Sequence, residues 1–131
     1  MKNLTPKEAY AWLQATPNAV FIDVRMEIEY LYVGRPHAVV HVPWYEYPDF
    51  VPDPARFAAQ CLHAVEGDKA RPVLLLCRSA KRTIPAGAAL EAAGFTQVQH
   101  VLHGFEGDMN PQFHRSSVNG WRFDGLPWEQ L

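Results

Sequence analysis

Two cysteines, Cys61 and Cys77, are too few to build a disulfide framework, which fits a chain kept in a reducing compartment. An excess of either charge is also missing. The formal balance of -2 argues against a protein that neutralises nucleic-acid phosphates or lies on an anionic membrane. No charge-free apolar run approaches the roughly 20 residues that a membrane-spanning helix needs. The opening Met1-Lys2-Asn3-Leu4-Thr5-Pro6 is polar and reads as the lead into a capped helix, not as a secretory signal. Internal repeats, linkers and low-complexity segments are absent too. The expectation is one domain over residues 1–131, in the cytoplasm, with no nucleic-acid or membrane partner.

What is present alternates between two periodicities. Thr5 can cap a helix that has Pro6 at its first position and Glu8 to close a capping box, with Ala9, Trp12 and Leu13 as its apolar face. Val20-Phe21-Ile22 reads as a short buried strand ending at Asp23. Glu27 to Tyr32 reads as a short helix, and Ala38-Val39-Val40 as a second strand. The aromatic and proline-rich stretch Trp44 to Phe50 is a loop by composition. A helix is expected from Asp53-Pro54 to about Val65, with Phe57, Cys61 and Val65 on one face. That spacing makes Cys61 a core residue in preference to a second reactive thiol.

Val73-Leu74-Leu75-Leu76 is the strongest strand signal, apolar on both faces as a central parallel strand should be. A helix follows from Thr83 or Ile84 to Ala93, closed by Gly94, and then a strand from Val98 to Leu102. Residues 106–119 form a short helix, a loop, or both. The segment Gly120 to Trp128 is structured, since Trp121, Phe123, Leu126 and Trp128 call for burial. Strands alternating with helices predict an α/β fold with a largely parallel, doubly wound sheet flanked by helices.

The chemistry is concentrated after the central strand. In open α/β sheets ligands bind beyond the carboxyl ends of the strands, and Cys77 stands there, just before a helix. Its loop can curl so that backbone N–H groups point inward and, with the helix N-terminus, form a concave anion site that favours a thiolate. Arg78, Lys81 and Arg82 bring formal positive charge to the same place. A lone cysteine at a strand end is most often inert; three cations between strand and helix turn the reading towards a nucleophile that meets an anionic substrate.

Loop length separates two chemistries. Cysteine phosphatases place five residues between the nucleophile and the phosphate-binding arginine. Here four residues, Arg78 to Lys81, separate Cys77 from Arg82, and Thr83 stands where the longer loop would need arginine. A shorter ring of donors encloses a sulfur atom on the cysteine more readily than a tetrahedral phosphoryl group.

At these residues the sequence resembles the rhodanese family, over nearly its whole length. Cys77-Arg78-Ser79-Ala80-Lys81-Arg82-Thr83 looks like that family's active-site loop. Asp23-Val24-Arg25 with Glu29-Tyr30 and Gly34, His41-Val42-Pro43, Leu102-His103-Gly104, and Gly120-Trp121 with Gly125-Leu126-Pro127 resemble its other landmarks, in order. The resemblance implies a rhodanese-like domain that transfers sulfur by double displacement, without metal or organic cofactor. Cys77 would take sulfane sulfur from thiosulfate or a persulfide and pass it to cyanide, a small thiol or a protein thiol.

Within that scheme Arg78 and Lys81 meet the anionic donor or acceptor, while Arg82 points inward to brace the loop against Glu29 or Asp23. Asp23 and Arg25 are read as support ahead of direct chemistry. The family usually has glycine where Ala80 stands, so a positive φ there would cost about 1 kcal/mol. Arg35-Pro36-His37-Ala38 departs from the usual His-Ile-x-Gly. His100 and His103 would face opposite sides of a strand, which argues against a shared metal. The aromatics Trp44 to Phe50 either line the site mouth or pack the loop. Two other functions remain open: a cysteine phosphatase or arsenate reductase, and a rhodanese-like binding module without catalysis.

Overall fold

A computed structural model describes residues 1–131. Five parallel strands form one sheet in the order β1 (Lys2–Leu4), β6 (Val98–Val101), β5 (Val73–Leu76), β2 (Val20–Asp23), β4 (Val40–His41). Helix α1 (Pro6–Ala15) covers one face, and α2 (Pro54–Ala64) and α3 (Thr83–Ala92) cover the other. A two-stranded antiparallel ribbon, β3 (Arg35–Pro36) with β7 (Trp128–Glu129), ties the last residues to the middle of the chain. No helix is long and apolar enough to cross a membrane.

The alternation of side chains along β5 divides the core. Val73, Leu75 and then Cys77 face α2 and α3, with Ile22, Phe57, Cys61, Val65 and Leu90. Leu74 and Leu76 face α1, with Phe21, Phe105 and Trp121. β5 is therefore buried on both sides, as its uninterrupted apolar run requires. Its carboxyl end opens directly into the loop that carries Cys77.

The helix starts follow their caps. Thr5 Oγ1 accepts from the Glu8 amide at 3.2 Å and Glu8 Oε1 accepts from the Thr5 amide at 2.9 Å, the reciprocal box. Asp53 caps α2 through the Arg56 amide at 3.1 Å. Phe57, Cys61 and Val65 share the buried face of α2. With only apolar neighbours to solvate a thiolate, burial pushes the Cys61 thiol up to about 12.

Several sequence expectations are corrected. The N-terminal residues form an edge strand: Lys2, Asn3 and Leu4 pair with Gln99, His100 and Val101. A three-residue polar edge strand has no periodicity of its own, so only its partner reveals it. The second strand is Val40–His41, not Ala38-Val39-Val40, because Ala38 has φ +58° and breaks the extended run. The short helix at Glu27 to Tyr32 is wound as a π-turn over Glu29–Val33, ended by Gly34 at φ +113°. Residues 106–119 contain no helix. They close as a loop in which Asn110 Oδ1 accepts from the amides of Gln112 and His114 at 2.9 and 3.0 Å. In the tail Trp121 is buried, but Phe123 is 50% exposed.

Phe57 is 1% exposed and meets Trp44 edge-on at 5.2 Å, so Phe57→Ala should lower stability by about 3–5 kcal/mol in urea unfolding. Phe123→Ala, at a half-exposed position, should stay within about 0.5 kcal/mol in the same measurement.

Candidate active site

The loop from Cys77 to Arg82 spans the gap between β5 and α3, and its shape is set from the next crossover. The Phe105 amide donates to the Cys77 carbonyl at 2.8 Å, and the amides of Glu106 and Gly107 donate to the Arg78 carbonyl at 3.0 and 3.3 Å. In a trans peptide the carbonyl of one residue and the N–H of the next point in opposite directions. Pinning these two carbonyls therefore turns the N–H groups of Arg78 and Ser79 away from residues 104–107. None of the amides from Arg78 to Thr83 finds an acceptor in the protein. Six consecutive free donors that follow one cysteine in a strand-to-helix loop suit a site for negative charge.

The clamp works only if the two loops approach closely. At Gly104, with φ +68°, an added Cβ would lie 2.5 Å from the Cys77 carbonyl oxygen and 2.6 Å from Arg78 backbone atoms. Glycine is required there on both counts. Ala80 has φ +69°, so the strain anticipated for alanine in a position that favours glycine is present in the loop.

Arg82 turns inward to Glu29, one of its two anticipated partners. Nη1 donates to Oε1 at 2.7 Å and Nη2 to Oε2 at 2.9 Å, a two-pronged pair, and the guanidinium lies 5.5 Å from the Tyr45 ring centre. Burial works against the Glu29 charge. The Arg82 bonds and charge, the Met26 amide and the more distant Arg25 outweigh it, and hold the carboxyl below its ordinary value of 4.5. Burial likewise opposes the Arg82 charge, but Glu29, then Cys77 and Tyr45, raise its hold on the proton.

Asp23 and Arg25 lie completely buried and bond to each other, with Nη2 to Oδ2 at 2.7 Å. Arg25 Nη2 also donates to the Gly34 carbonyl at 2.6 Å, and the guanidinium sits over the Phe105 ring at 4.5 Å. Neither bonds to the Cys77 loop. They fix the two ends of the turn that presents Glu29, so their link to the site is indirect. Of the loop cations, Arg78 and Lys81 stand exposed at the rim; Ser79 and Ala80 are half-buried.

Cys77 itself is 1% exposed and lines none of the four cavities of the molecule. The sulfur lies beneath the rim of its loop with almost no surface open to solvent. Thr83, buried at the start of α3, places Oγ1 3.8 Å from Cys77 Sγ and 2.7 Å from His100 Nδ1. That contact is not legible in the sequence, where the spacing of His100 and His103 speaks only to metal binding. His103 lies apart, 3.7 Å from Asp108. The aromatic run divides: Trp44 is core, Tyr45 faces Arg82, and Tyr47 is 74% exposed.

The Glu29–Arg82 pair makes a pH-dependent prediction. Because the folded protein holds Glu29 below its ordinary value, its contribution is complete above about 4.5 and is lost as pH falls through the lower folded value. Glu29→Gln should cost about 2 kcal/mol near neutrality. The gap to the wild type, read by urea unfolding across pH, should narrow only on the acid side of 4.5.

Comparison with known proteins identifies the family and the fold. A crystal structure of a Mycobacterium tuberculosis protein superimposes with a TM-score of 0.84 at 37% identity, covering 100% of this chain and 98% of that one. An uncharacterized protein of Rickettsia conorii is 27% identical over 98% of both chains. The thiosulfate:glutathione sulfurtransferase of Saccharomyces cerevisiae is 33% identical over 80% of this chain and 66% of its own length. The Rhodanese-like domain family matches residues 5–110, which include β2, the Glu29 turn, the Cys77 loop and its Gly104 clamp. With most of its length and its whole candidate site inside that match, the chain belongs to the rhodanese-like family.

Proposed function

We propose that the protein is a sulfurtransferase whose Cys77 carries sulfane sulfur as a persulfide. The Cys77 thiolate attacks the outer sulfur of thiosulfate, the S–S bond breaks, and sulfite leaves with the bonding pair. An acceptor thiolate then attacks the outer sulfur of the persulfide, takes it, and releases Cys77 as thiolate. The ring of free amides stabilises the negative charge before and after loading. Arg78 and Lys81, exposed at the rim, attract the donor anion. A small thiol is the favoured acceptor, in line with the activity named for the yeast relative. A reducing cytoplasm would supply it.

The observation that carries this reading is the use of Arg82. A phosphatase loop needs its arginine free to grip phosphoryl oxygens. Here both terminal nitrogens of Arg82 are committed to Glu29, and the loop is a residue short.

Incubation with thiosulfate should add the mass of one sulfur atom to the intact protein. Cyanide should remove it, and Cys77→Ser should never gain it. Replacing both Arg78 and Lys81 by Ala should raise KM for thiosulfate about tenfold with a smaller change in kcat, since two exposed charge contacts together contribute about 1–1.5 kcal/mol. Failure of the wild type to gain sulfur from thiosulfate, polysulfide or a small persulfide, with phosphatase turnover in its place, would overturn the assignment.

A further inference from the structure

Beneath the active loop, four side chains from four parts of the chain form one line of hydrogen bonds. Cys77 Sγ lies 3.8 Å from Thr83 Oγ1, at the long end for a weak sulfur donor. Thr83 Oγ1 lies 2.7 Å from His100 Nδ1, and His100 Nε2 lies 2.7 Å from Asn3 Oδ1. Its inner part is dry, with Cys77, Thr83 and His100 each at most 1% exposed, while Asn3 at the far end lies on the exposed edge strand.

The roles of the donors follow from the far end. Asn3 Oδ1 can only accept, so His100 Nε2 carries a proton and donates it there. Burial, and then the charge of the N-terminal ammonium, hold the His100 imidazole below its ordinary range, so the ring is neutral and Nδ1 has a free lone pair. The Thr83 hydroxyl must then donate to Nδ1, which leaves its oxygen to accept from the Cys77 thiol. In this resting arrangement Thr83 stabilises the protonated sulfur.

We propose that His100 is a positioning residue that holds the Cys77 proton, acting on the sulfur through the Thr83 hydroxyl. The S–H bond of Cys77 breaks and its proton passes to Thr83 Oγ1, while the proton already on Thr83 passes to His100 Nδ1. The products are a Cys77 thiolate and a His100 imidazolium that still donates from Nε2 to Asn3. Thr83 now points its hydrogen at the thiolate, so its hydroxyl has switched from accepting to donating. Proton return along the same line would regenerate the thiol, with no water needed at the buried sulfur.

The strand missed in the sequence has a role here. β1 brings Asn3 beside His100, and Asn3 selects the tautomer on which the relay depends. The charges bearing on the line are Arg82 near Cys77 and the Met1 ammonium near His100, itself paired with Glu91 at 3.0 Å. β5 presents only the apolar Leu75 beside His100.

This inference rests on Cys77 being the nucleophile of the proposed reaction, but its test requires no sulfur donor. The rate of Cys77 alkylation by iodoacetamide is measured across pH; Cys61, with its thiol pushed up to about 12, serves as the silent internal control. His100→Gln removes the proton acceptor and should move the alkylation midpoint up by about one pH unit, a tenfold slower reaction near neutrality. Asn3→Asp places a carboxylate behind the imidazole, raises its basicity, and should move the midpoint down by a similar amount. A folded His100→Gln whose profile superimposes on that of the wild type overturns the proposal. If that variant does not fold, an unmoved midpoint in Asn3→Asp does so. Sulfur loading from thiosulfate is scored separately by mass. A protein with shifted profiles and no loading loses the proposed function and keeps the relay; one with loading and unmoved profiles loses the relay alone.

Discussion

The site depends on two backbone carbonyls being held away from the sulfur. The amides of Phe105, Glu106 and Gly107 take the carbonyls of Cys77 and Arg78, and that leaves the loop N–H groups without partners inside the protein. Free amides are ordinarily a liability, since an unpaired donor costs roughly 1–3 kcal/mol when buried. Under the proposed function, a thiolate or a persulfide anion would be the partner that turns this liability into binding. The close approach that makes the clamp possible requires glycine at 104, so a residue remote in sequence from Cys77 governs the shape of its loop.

The rest of the molecule serves that arrangement in layers. Glu29 restrains Arg82 from the side, and the Asp23–Arg25 pair fixes the turn from which Glu29 projects. Thr83, His100 and Asn3 support the sulfur from below, each from a different element. The positive charges are thereby sorted. Arg82 and Arg25 are spent on internal pairs, and Arg78 and Lys81 remain at the surface. A local cluster of three cations has one member in an internal pair and two that stand exposed.

The loop, its cysteine and one of the two candidate partners of Arg82 were legible in the residues, because each leaves a local signature. An apolar run ends at Cys77, cations crowd the next five positions, and Glu29 lies beside the first core strand. Phe57, Cys61 and Val65 were legible as core by helical spacing, and all three are buried. The errors share a cause. The edge strand Lys2–Leu4, the shift of a strand to Val40–His41 and the exposure of Phe123 depend on partners or on a single positive φ, neither of which alters local periodicity. His100 was read only against the alternative of a metal ligand, since nothing near it in sequence points to Thr83 or Asn3.

What the sequence determined by itself was the alternation of the principal strands and helices, the residue at the carboxyl end of the most apolar strand, and the four-residue spacing between Cys77 and Arg82. These follow from composition and spacing over a few consecutive residues. Only the tertiary structure decided which way the loop amides point, which of two carboxylates Arg82 meets, how deeply the sulfur lies, and which polar residue stands behind it. Each of those is a contact between residues at least 17 positions apart: 77 with 105, 29 with 82, 83 with 100, and 100 with 3. Chain crossovers that lay parallel strands side by side create such contacts, and no local pattern in the sequence encodes them.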